Sequence, residues 1–298
     1  MSPAVAVLGV TGGAVVIAVA LFDVFATLFS HPRRHSPSRS VMSATWSVCH
    51  RLPGERALSF AGPVSFLVVV TSWAVLLGVG WALVYWPWMP EGFLQAAGLR
   101  GAGTGLVDAV SFSLVTLTTL GYGDVSPAQD LLRLAAPLES LLGLGLLTAS
   151  VSWLLSIFPV LSRRRALAYE IRLLEEVGAD STDPGPPSPL PASVYADLTS
   201  RLVACERDMV TFPVTYYFHD DDARFALPAV MCHLLDLAEA ARRQEVSTDA
   251  HFHGGLLLRA IDDFAATVAG FRLTAGGTRD VLAAYARDHA VTGPVRSA

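Results

Sequence analysis

Between positions 118 and 124 the chain reads Thr118-Thr119-Leu120-Gly121-Tyr122-Gly123-Asp124, a run of oxygen donors without a nucleophile–base pair. In an ordinary strand successive carbonyls point to opposite sides, so a strand cannot turn all of them toward one ligand. Residues with positive φ bring the carbonyls round to one side, and Gly121 and Gly123 adopt that conformation at little cost. Thr119 adds a hydroxyl to the same row. The chemistry such a row offers is replacement of the water around a cation, with no bond made or broken. A Gly-Tyr-Gly triplet also occurs in ordinary external turns, and that alternative stays open on the triplet alone. A second set of donors lies far along the chain: His219-Asp220-Asp221-Asp222, with His233, His251 and His253. These side chains suit a divalent metal; Asp220 to Asp222 equally suit the capping and positive end of a following helix. A pH-sensing role is open to the histidines. Cys49, Cys205 and Cys232 form no CxxC pair, so neither a zinc site nor a disulfide framework is indicated.

The elements around residues 118–124 are read from hydropathy. Of the 298 residues 52% are hydrophobic and 16% charged, against about 25% charged in soluble domains, and mean hydropathy is +0.48. The shortage of charge falls in the first 162 residues, which excludes a single soluble domain. Residues 3–22 and 57–90 carry no charge, and residues 134–162 carry one, Glu139. Each run reaches the roughly 20 residues needed to cross a ~30 Å hydrocarbon core, so three membrane helices are expected. The first lacks the basic start and small-residue cleavage site of a signal peptide. Every basic residue is arginine. Arg33, Arg34, Arg39, Arg51 and Arg56 lie between the first two runs and Arg163, Arg164, Arg165 and Arg172 follow the third, whereas residues 87–107 hold only Arg100. Positive loops remain inside, which puts the N-terminus outside, residues 31–56 inside and everything past 163 in the cytoplasm. The net charge of −5 gives no basic surface for nucleic acid.

Residues 108–124 lie between the second and third runs, too short to cross twice as helix and too apolar for an exposed loop. They read as a re-entrant segment, a short helix followed by an extended return, tolerated at membrane depth only when buried in protein or lining water. In this setting the string Thr118 to Asp124 resembles the selectivity-filter signature of the potassium-channel pore-loop family. The resemblance covers residues 64–162. It implies an all-α membrane protein assembled as a homotetramer, with four filters stacking rings of oxygen around K⁺. K⁺ and membrane lipid are then the partners, K⁺ being the permeant ion; no cofactor and no catalysis are implied. The implied filter is Thr119, Leu120, Gly121, Tyr122 and Gly123, supported by Thr118 and Asp124, with the Tyr122 side chain bracing it from behind. Two departures stand out. Leu120 replaces the usual valine, and Val115 occupies a position where some members carry a glutamate pairing with the filter aspartate, leaving Asp124 without it. Gly143 falls near the family's gating hinge, and Gly145 adds flexibility; close helix packing is the other reading of Gly143. Glu139 is expected either to brace the back of the pore or to form a cation-attracting cavity ring.

The domain reading follows. Residues 1–30 form an extra N-terminal membrane helix and residues 31–62 a basic cytoplasmic loop. Residues 63–162 form the pore domain, with outer helix 64–86, pore helix 108–118, filter 119–123 and inner helix 131–160. Residues 163–192 form a cytoplasmic helix and a Pro-rich linker (Pro184, Pro186, Pro187, Pro189, Pro191), and residues 193–298 an α-helical cytosolic domain. Helices are expected near 193–210, 224–243, 250–273 and 277–289, with Leu256, Leu257, Ile261, Phe264 and Val268 at core spacing. The first helix has no arginine at every third position, so it is no voltage sensor. Its Asp23 is expected to form a buried salt link near His31, Arg33 and Arg34, or to snorkel. The chain as a whole reads as a multi-pass protein of the cell's inner (plasma) membrane. A non-selective cation channel on the same fold and a membrane-anchored signalling protein acting through its C-terminal domain are the alternatives. The glycines of residues 101–105 follow no strand, and neither a P-loop nor a nucleophile elbow is present. The ligand of the C-terminal domain is not legible.

Overall fold

The computed structural model describes residues 3–29, 36–52, 56–89, 91–95, 105–179, 190–243, 248–271 and 276–289. His31, Arg33, Arg34, Gly101 to Thr104 and Pro184 to Pro189 lie outside the described residues. The chain divides into two compact units, one of residues 1–31, 36–38 and 67–155, the other of residues 32–35, 39–66 and 156–298.

Three helices are long and apolar enough to cross a membrane: α1 (Pro3–Phe29), α4 (Ala61–Tyr85) and α6 (Asp130–Ala179), with α2 (Pro37–Arg51), α3 (Arg56–Ser59) and α5 (Leu106–Leu117) between them. In the first unit α1 and α4 touch through Gly13 and Gly80. A Cβ on Gly13 would overlap the Gly80 carbonyl, and one on Gly80 would lie 2.7 Å from Ile17; small residues permit this approach where no hydrophobic force drives helices together. Farther along α1, Asp23 is 3% exposed. It accepts hydrogen bonds from Trp73 Nε1 at 2.8 Å and from Ser38 Oγ. An indole and a hydroxyl thus reach one oxygen of this acid inside the unit, while its expected partners His31, Arg33 and Arg34 lie outside the described residues. Trp73 in turn lies 5.7 Å, ring to ring, from Trp153 of α6.

At the other end of α4 an aromatic cluster joins it to α5. Tyr85 meets Phe112 edge-on at 5.0 Å, and Phe93 meets Phe112 at 4.9 Å. To the mostly helical fold two short strands are added here, β1 (Phe93–Gln95) and β2 (Val125–Pro127), paired antiparallel with Leu94 opposite Ser126. Three residues per strand give no readable alternation, so the pairing is invisible in the sequence. It ties the exit of the 118–124 segment to the chain that follows α4.

α6 is one continuous helix of 50 residues, so the cytoplasmic helix expected at 161–177 continues from the inner one. Charge changes abruptly at Arg163, but arginine and glutamate are as helix-compatible as leucine, so nothing stops the helix. In the second unit α7 (Ala192–Thr211), α8 (Leu227–Arg243), α9 (Thr248–Ala269) and α10 (Thr278–Asp288) form a helical domain with α9 packed on the other three. Leu257, Ile261, Phe264 and Val268 are buried as expected, whereas Leu256 is exposed. Burial pushes the His289 imidazole at the end of α10 down to about 4. α2 is the unread helix: it is serine-rich, yet Pro37 suits its first turn, and Met42, Trp46 and Cys49 share one buried stripe.

Candidate functional site

The geometry of residues 118–124 starts from α5. Asp108 stands in its first turn and accepts from the Gly105 amide at 3.4 Å, a favourable place for a carboxylate at the positive helix end. At the other end the chain folds back on the helix: the Thr119 amide donates to Thr116 O (3.0 Å) and the Leu120 amide to Val115 O (2.9 Å). Thr118 Oγ1 donates to Leu114 O at 2.7 Å. The next residues therefore begin from a fixed point.

Their backbone then alternates. Thr119, Gly121 and Gly123 have φ of +58°, +57° and +76°, and they are the positive-φ positions among the described residues. Reversing the sign of φ at every second residue turns successive peptides to the same side. The glycines are as the sequence reading requires. Thr119 was missed, because a β-branched residue there is a genuine outlier, costing of order 1–3 kcal/mol of backbone strain. Asp124 accepts from the Val125 amide at 3.0 Å. Behind the segment lies a cavity of about 270 Å³ lined by Phe112, Val115, Tyr122 and Asp124 among others. The single chain leaves Leu120 57% and Tyr122 70% exposed.

α6 holds α5 at three successive points. Ser113 Oγ lies 2.5 Å from Glu139 Oε1 and 2.9 Å from the Gly78 carbonyl of α4, so one hydroxyl connects three helices. The Tyr85 phenol faces the same carboxyl. Ser140 Oγ donates to Thr116 O at 2.9 Å, and Gly143 lies against Leu117, whose carbonyl oxygen a Cβ would overlap. Glu139 is fully buried. Its carboxyl stands where α5 and α6 meet. Gly145 has open space where a Cβ would be. Ser113 and Ser140 were not picked out, since isolated serines in an apolar run carry no signal of their own. Ser113→Ala strips Glu139 and Gly78 of this partner, a cost of roughly 1–3 kcal/mol for stranding a buried polar group. Its thermal midpoint in detergent is expected to fall measurably, while that of Ser111→Ala, on the exposed side of α5, stays near the parent value.

The second donor set does not assemble. Among the described residues no three His, Cys, Asp or Glu side chains are placed to hold a metal ion. Asp220 is engaged by Arg164 and Arg165, each at 2.7 Å, and Asp222 by Arg224 at 2.6 Å. Asp221 accepts from Ser59 and lies 3.8 Å from His219. For Asp220 the partners are arginines brought in from α6, whereas Asp222 is held by the nearby Arg224.

Residues 68–158 match the family model described as an ion channel. A protein of Bacillus subtilis (strain 168), described as the uncharacterized membrane protein YdjJ, is 25% identical over 191 residues, covering 61% of this chain and 54% of the relative. The chain thus spans about half the length of that curated relative. No solved structure matches.

Proposed function

We propose that residues 68–158, which match a family model described as an ion channel, are the pore of a K⁺-selective channel that conducts passively as a homotetramer. The observation that carries the reading is the alternating positive φ at Thr119, Gly121 and Gly123. Around a fourfold axis, the carbonyls of residues 119–123 with the Thr119 hydroxyl form stacked rings that replace the water of K⁺. The C-terminal end of α5 directs the negative end of a helix dipole toward the entrance of that stack. Because the first filter amides bond back to α5 and α5 is braced by α6, the rings keep their spacing when the ion leaves. One chain holds one filter strand, so a closed ring requires four. The apolar surface left open on a single chain supports this: Leu120, Tyr122 and the α6 residues Leu134, Leu138, Leu141 and Leu147 are exposed.

Thr118 and Asp124 support the filter, Glu139 braces it, and Gly145, free of close neighbours, is the better hinge of the two glycines. The arginine distribution supports an N-terminus outside the cell membrane and a cytoplasmic C-terminal domain. In liposomes loaded with K⁺, the reconstituted protein should drive uptake of tracer rubidium from a low-K⁺ bath and leave tracer sodium outside. Equal uptake of rubidium and sodium would remove selectivity from the reading.

A further inference from the structure

Resting on that reading, we propose that residues 213–222 of the C-terminal domain are the joint through which this domain sets channel opening, with Arg164 of α6 as its positioning residue. Ten residues reach three elements, all within the second unit.

The first is α2. Trp46 is fully buried and meets Tyr217 edge-on at 5.7 Å. Its indole donates to Asp288 at 3.2 Å, the carboxylate that also accepts from Tyr216 at 2.6 Å. Arg39 reinforces the seat, donating to Gly270 O at 2.9 Å with its guanidinium 4.5 Å from the Phe271 ring centre; that ring stacks on Tyr216. The second element is the beginning of α4. Phe218 packs against Gly62, where a Cβ would overlap its ring, and Asp221 accepts from Ser59 just ahead of the helix. The third is α6 past its membrane stretch. Arg164, 4% exposed, donates to Thr215 O at 2.7 Å, Phe218 O at 2.9 Å and Asp220 at 2.7 Å.

This is more than a helix resting on a domain. A planar guanidinium holding two carbonyls and a carboxylate fixes both distance and angle, and a buried charge cannot give up its partner without a large penalty. The carbonyls it grips flank the tyrosines that seat α2, and one belongs to Phe218, which seats α4. Any shift of the 213–222 segment therefore bears on the beginning of the outer membrane helix and on the end of the inner one together. α6 is unbroken from Asp130 to Ala179, so a displacement at Arg164 reaches Gly145, 19 residues away, along a stiff rod of roughly 28 Å. His219 to Asp222 belong to this joint and not to a metal site.

The test uses the full chain in liposomes and planar bilayers. Arg164→Lys keeps the charge but cannot grip all three partners. It is expected to change open probability about tenfold, within the range of couplings between distant sites, with the reversal potential unaltered. Asp221→Ala, at an exposed carboxylate, releases Ser59 and the neighbouring His219 while leaving the Arg164 contacts in place, and is expected to shift open probability in the same direction. Hydrogen exchange supplies a readout independent of current: Arg164→Lys should alter protection of the amides at residues 59–66, which Arg164 does not touch. Open probability within twofold of the parent in both variants, together with unchanged exchange at 59–66, would overturn the joint. A parent that carries no current would count against the channel reading, and the exchange result would then decide the joint by itself.

Discussion

Gly123→Ala is expected to abolish potassium selectivity, and Gly121→Ala to do the same, in recordings from reconstituted channels. Neither glycine has another atom within 4 Å of where its Cβ would be, so the effect is not one of crowding. It is conformational. At φ of +57° and +76° an L-residue with a Cβ is disfavoured by roughly 1–2 kcal/mol, and a ring of four repeats that penalty to roughly 4–8 kcal/mol. A relaxed alanine would return to negative φ and turn its carbonyl away from the axis, deleting a whole ring of ligands at once. The outcome separates this account from an external turn, in which the same Gly→Ala change would cost stability and leave ion selectivity untouched. Tetramer yield by size exclusion is expected to drop less than selectivity does, because the filter contributes little of the buried apolar area.

The second large effect is expected at Gly143. A Cβ there would occupy the position of the Leu117 carbonyl oxygen, which is backbone and cannot rotate aside. Overpacking a well-filled contact commonly costs 1–3 kcal/mol, and a backbone obstacle puts Gly143→Ala at about the top of that range or beyond. α6 must then back away from α5, pulling on the Ser140 and Glu139 contacts one turn earlier. Loss of the folded tetramer, read by thermal unfolding in detergent, is the expected result. Gly145→Ala, with open space around it, is expected to keep its thermal midpoint and instead alter opening, since it stiffens the helix without touching α5. If both variants behaved alike, close packing at Gly143 would not be the reason for its glycine.

These contrasts mark what was legible in the sequence. The 118–124 string was readable because its requirement is local: glycine recurs where φ must be positive, whatever surrounds it. The three long apolar helices and the four C-terminal ones were readable for the same reason, each from its own composition or period. Thr119 was not, since sterics argue against its conformation and only the turn made by the α5 carbonyls Val115 and Thr116 imposes it. Asp23 was read against nearby basic residues that lie outside the described residues, and Trp73, which donates to it, stands 50 positions away. Asp220 was read as a helix cap or a metal ligand because the arginines it serves, Arg164 and Arg165, lie 56 and 55 residues earlier. The helix α2 escaped because its serines mask one buried stripe, and a stripe has meaning only against the tyrosines that cover it. Apart from Thr119, whose cause is a local turn, long-range partners account for these differences.

The central claim, that residues 119–123 form a K⁺-selective ring of carbonyls, is tested most directly by the reversal potential of the reconstituted channel with K⁺ on one side of a planar bilayer and Na⁺ on the other. The account predicts a potential close to the K⁺ equilibrium value in the parent channel and its collapse in Gly123→Ala. A reversal near zero in the parent, with current still flowing, would contradict it.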